Sequence, residues 1–70
     1  MRPNALRAKI IEHGMTIGDF CNAAGFVRST FDRKLNGDSE FTRDELERIM
    51  VELELSADEM RRIFFNDIVA

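Results

Sequence analysis

Apolar residues recur at intervals of three and four along the whole chain, and no stretch alternates apolar with polar in a β-branched run. A chain patterned in this way buries its apolar side chains as helical stripes, so the expected fold class is all-α. Two helix starts are written out explicitly. Thr42-Arg-Asp-Glu45 and Ser56-Ala-Asp-Glu59 both match the S/T-x-x-E capping box, in which the cap hydroxyl and the glutamate satisfy each other's orphan amides. Thr16 followed by Asp19 gives a third cap with a first-turn acid.

Between these signals five short helices can be drawn. The first begins after Asn4, sets Leu6 and Ile10 on one face and stops at His13-Gly14. The second runs from Thr16 to Ala24 with Ile17, Phe20, Cys21 and Ala24 inward, and Gly25 ends it. The third, 27–35, turns Phe31 and Leu35 inward, leaves Arg28, Ser29, Asp32 and Arg33 on the other side, and closes at Asn36-Gly37. The fourth buries Leu46, Ile49, Met50 and Leu53. The fifth, 57–69, carries Met60, Ile63 and Phe64, with Phe65, Ile68 and Val69 as more apolar surface than one face needs. The short connections suit a single compact helical domain over residues 1–70.

Composition narrows the functional classes. The single cysteine, Cys21, lies among apolar residues and has neither a CxxC partner nor a local base, so it reads as a core thiol in a reducing compartment. His13 has no second ligand at metal spacing and reads as a surface histidine at a helix end. The acidic loop Asn36-Gly-Asp-Ser-Glu40 lacks the full spacing of a calcium loop. No metal, cofactor, small-molecule substrate or enzymatic constellation is expected, and with no apolar run of membrane length the expected location is cytoplasmic. The formal net charge is −3, yet residues 1–37 carry six basic and three acidic side chains while residues 38–70 carry four basic and ten acidic ones. That asymmetry suggests a basic face backed by an acidic one.

Two short helices joined by a tight glycine turn, the second basic on its exposed side, form a helix-turn-helix arrangement. The stretch Met15-Thr-Ile-Gly-Asp-Phe-Cys-Asn-Ala-Ala-Gly25, then Phe-Val-Arg-Ser-Thr-Phe31 and Arg-Lys-Leu-Asn-Gly37, resembles the phage-repressor and Cro-type (XRE-like, lambda-repressor-like) helix-turn-helix DNA-binding family. The resemblance covers nearly the whole chain, since Ser39-Glu-Phe-Thr42 and Leu55 to Phe65 also look like small members. It implies a five-helix domain with its third helix in the major groove of an operator. By position, Arg28, Ser29, Asp32 and Arg33 would then face base edges. Arginine at such a site favours guanine O6 and N7, and Asp32 would accept from a cytosine amino group or orient a neighbouring arginine. Thr30, Lys34, Arg43 and the amides near Asn36 and Gly37 would hold phosphates.

Three features depart from the family pattern. Ile17 stands where glutamine is usual, Val27 where a Ser or Thr cap is usual, and Asp38 and Glu40 lie in the phosphate-facing loop. The resemblance implies a transcription regulator, and the size of the module favours a homodimer, for which Phe65, Ile68 and Val69 offer an apolar surface. The contrasting reading is a protein-binding adaptor or antirepressor of the same fold that captures a partner regulator through helix 57–69.

Overall fold

The apolar stripes resolve into five α-helices and, among the described residues, no strand: α1 Pro3–Glu12, α2 Ile17–Ala24, α3 Arg28–Leu35, α4 Arg43–Glu52 and α5 Ala57–Phe64. These come from a computed structural model that describes residues 3–65. α2 packs against α1, α3 and α4, and α5 packs against α1. The core is Leu6 and Ile10 of α1, Phe20, Cys21 and Ala24 of α2, Phe26 of the turn, Phe31 and Leu35 of α3, Ile49, Leu53, Leu55 and Ile63. Ile17, at the position where the family pattern has a polar residue, packs against this core.

Rings carry the centre of the packing. Phe20, Phe26 and Phe31 stand 5.2 to 6.1 Å apart by centroid, Phe41 joins them at 5.7 Å from Phe31, and Phe64 meets Phe41 edge-on at 5.9 Å. Such tilted and edge-on pairs are each worth about 1 kcal/mol beyond the area they bury.

Helices this short are marginal on propensity alone, so their ends matter. α2, α4 and α5 each begin with a complete capping box: Thr16 with Asp19, Thr42 with Glu45, and Ser56 with Glu59. At the other end one device recurs. The amides of Met15, Phe26, Asp38 and Leu55 donate back to the carbonyls of Ile10, Cys21, Arg33 and Met50, the longer bond of a Schellman motif. The residue before each donor lies in the left-handed region, and in three cases it is glycine. In the fourth it is Glu54, at φ 52°.

Two boundaries differ from the sequence reading. α1 starts at Pro3 rather than after Asn4, because a proline lacks only an amide that the first turn leaves unpaired in any case. α5 ends at Phe64, where the sequence reading carries the helix on to residue 69. Phe65 leaves the helical region at φ −130°, ψ 29° while its amide still bonds Arg61. Ile68 and Val69 lie outside the described residues.

Both glutamates of the α4 and α5 boxes also meet a lysine from another helix. Glu59 Oε2 lies 2.7 Å from Lys9 Nζ of α1, and Glu45 Oε1 lies 2.5 Å from Lys34 Nζ of α3. The hydrogen bond from Lys9, then that from the Ser56 amide, holds the Glu59 carboxyl down at about 2. Its folded value is thus below its unfolded one, so the stability it confers is present above the ordinary glutamate range near 4.5 and is lost as pH falls towards about 2. Glu59→Gln keeps a capping amide but removes this titration, and in urea melts between pH 5 and 2 it is expected to lose less stability on acidification than the wild type. A second expectation concerns Glu54. Relieving a left-handed non-glycine residue by Glu54→Gly is expected to raise stability by about 1 kcal/mol, measured by thermal or urea unfolding.

Candidate nucleic-acid interface

With Phe31 and Leu35 facing the core, the 3.6-residue period assigns every other side chain of α3 to a side. Ser29 and Arg33, one turn apart, form the ridge farthest from the core, and both are exposed. Arg28 and Asp32 lie on the flank towards α2. Their side chains pair, with Arg28 Nε 3.2 Å from both carboxylate oxygens of Asp32. A Cβ added at Gly18, near the start of α2, would stand 3.4 Å from Arg28 Nη1, so the guanidinium lies over the first turn of α2. The sequence leaves two roles open for Asp32, and this pairing is the geometry that the second of them, orienting Arg28, would need. Because only Nε is engaged, the two Nη nitrogens keep donors for another acceptor.

Lys34 falls on the opposite flank, towards α4, and its pair with Glu45 leaves each side chain 13% exposed. Burial raises the Glu45 carboxyl, but the Lys34 and Thr42 hydrogen bonds outweigh it and hold the group below its usual range. Lys34 therefore fixes α3 to the start of α4, and its charge is already neutralised. A phosphate would thus share Lys34 with Glu45, and the backbone that follows closes the helix. The amides of Asn36 and Gly37 donate to Asp32 and Lys34 carbonyls at 2.9 and 3.1 Å, closing the helix with these backbone donors. The exposed Asn36 side chain remains. Thr30 is exposed on the α4 side of the ridge, and Arg43 projects from the first turn of α4 with 93% of its side chain accessible, only loosely paired to Glu47 at 3.9 Å.

The turn between α2 and α3 is held by a residue that no local signal marks. Gly25 adopts φ 79°, and Phe26 behind it donates its amide to Cys21. Arg48 of α4 reaches across, donating from Nη1 to the carbonyls of Gly25 at 3.1 Å and Ala24 at 3.4 Å, with its guanidinium 5.1 Å from the centroid of the Phe26 ring. The same cation thus caps the last carbonyls of α2 and stacks on the first core ring of the turn. Cys21 sits beneath this turn, where burial pushes its thiol up, away from the reactive thiolate form. His13 is exposed just past α1, and among the described residues no three His, Cys, Asp or Glu side chains converge as a metal site. No described helix is long and apolar enough to cross a membrane.

Arg48→Ala removes both carbonyl bonds and the ring contact at a partly solvated site, and is expected to lower stability by about 1 kcal/mol. Arg48→Lys, a point donor without the planar fork, is expected to recover only part of this in the same unfolding measurement.

An exposed ridge on the second helix of a clamped helix-turn-helix is what groove recognition requires: one face buried, the other free to offer donors. Curated proteins and solved structures give no match to the chain. A family model does match, over residues 5–63, and its description is the Cro/C1-type HTH DNA-binding domain. The matched span takes in all but the outermost residues of the five helices, from α1 to Ile63 of α5. The chain therefore belongs to the family of Cro/C1-type helix-turn-helix DNA-binding domains.

Proposed function

We propose that the protein is a sequence-specific, operator-binding transcription regulator of the repressor type, reading the major groove with α3 and acting as a twofold pair. The observation that carries this reading is the free outer ridge of α3. Ser29 and Arg33 have no tertiary partner among the described contacts, and Arg28 is braced by Asp32 with its Nη donors unspent. An arginine held in this way can give two parallel bonds to guanine O6 and N7, the commonest specific contact in the groove. Thr30, the Asn36 side chain and Arg43 would then meet phosphates, setting position without carrying sequence information. Occupying the operator and blocking polymerase is the simplest route to regulation, of the kind a phage-type switch uses.

Pairing would raise affinity, and an exposed apolar side chain is available for it. One module of this size covers one half-site, and a dimer would set two half-sites about 10 base pairs apart. Phe65, 46% exposed at the end of α5, would anchor the interface, with Ile68 and Val69 beyond it. The same exposed Phe65, set in the acidic half of the chain, is what favours the adaptor or antirepressor reading.

Selecting bound duplexes from a random pool at about 100 mM salt separates the two. A palindromic motif is expected from the wild type and its loss from Arg28→Ala/Arg33→Ala. Affinity for that motif should fall by orders of magnitude between about 50 and 200 mM salt, as phosphate-bound counterions return. Failure to enrich any duplex at either salt would rule out the DNA-binding reading and leave the adaptor.

A further inference from the structure

Val27 neither caps α3 with its side chain nor enters the core, although its carbonyl accepts the Phe31 amide. It is the N-cap residue, yet its side chain makes no capping bond, and it is 67% exposed. α2, α4 and α5 all place a Thr or Ser at the same point and close a full capping box there. At α3 the box is missing and an apolar, β-branched side chain is held in water at the leading end of the helix, next to Arg28. The major-groove edges of the four base pairs present donors, acceptors and one apolar group, the C5 methyl of thymine. We propose that Val27 is a specificity-determining residue that packs on the C5 methyl of a thymine beside the base pair read by Arg28.

This rests on the reading of α3 as the groove-entering helix, and it adds a base preference to it. Val27 and Arg28 are consecutive, so they would address neighbouring base pairs: Arg28 donates from its Nη nitrogens to a guanine while Asp32 holds its Nε, and Val27 covers a methyl. Serine at position 27 would cap α3 but present a hydroxyl to that methyl. The residue present makes the opposite exchange, giving up the cap and keeping apolar surface at the tip.

The test uses the full chain and the duplex enriched from the random pool. Each thymine of the site is replaced in turn by 2′-deoxyuridine, which pairs identically and lacks only the methyl, and Kd is measured for wild type and for Val27→Ser. One position is expected to weaken wild-type binding by roughly fourfold, the size of one buried methyl group. Val27→Ser, which should melt no lower than wild type because it gains a cap, is expected to bind the thymine and uracil duplexes at that position equally. If no uracil position weakens the wild type, or if the penalty persists in Val27→Ser, the assignment is wrong while the DNA reading stands. If the pool yields no site, both readings fall together.

Discussion

The angle between α2 and α3 is fixed by rings. Phe20 lies on α2, Phe26 in the turn and Phe31 on α3, and these three side chains are in mutual contact, so neither helix can swing without opening the triangle. Phe41 and Phe64 extend the stack to the approach of α4 and to the last turn of α5. In a chain this small, with a limited fraction of its surface to bury, a few large planar side chains give more rigidity per residue than the same number of aliphatic ones. Everything proposed for the outer ridge of α3 presupposes that rigidity, because a reading helix that rocks presents no fixed pattern of donors.

Around the rings the structure depends on helix ends rather than helix lengths. Each capping box is preceded by an apolar residue, Met15, Phe41 or Leu55, that lies in the core or against it, so every helix start of this kind is fastened on both sides. The stops are equally uniform, and Glu54 departs from the glycine rule without departing from the geometry. Arg48 adds a long-range clamp, from the middle of α4 to the turn that joins the two functional helices.

What can be read in the sequence follows from range. Caps, stops and inward stripes are written within four or five residues, which is why the five helices, the two S/T-x-x-E boxes and the inward placement of Phe31 and Leu35 are all legible. Ion pairs and clamps join residues far apart in the chain, and a charged side chain looks the same in sequence whether it is free or spoken for. Lys9 and Glu59 are fifty positions apart, Arg48 and Gly25 twenty-three, and Lys34 and Glu45 eleven. The engagement of Lys34 by Glu45 is hidden for that reason. The bonds of the Asn36 and Gly37 amides are hidden too, because sequence does not show whether a backbone donor is already used by the helix it ends. Periodicity alone does not mark the end of α5, because the apolar pattern continues past Phe65, where the backbone leaves the helical region.

Glu45 and Glu59 each start one helix and hold a second. A carboxylate shared in this way ties local melting to tertiary separation: α4 cannot fray at its first turn without loosening Lys34 and with it α3, nor α5 without releasing α1. Opening the first turn of α4 or α5 therefore also breaks an interhelical ion pair, and amide protons there should exchange with solvent more slowly than at the frayed ends usual in isolated short helices.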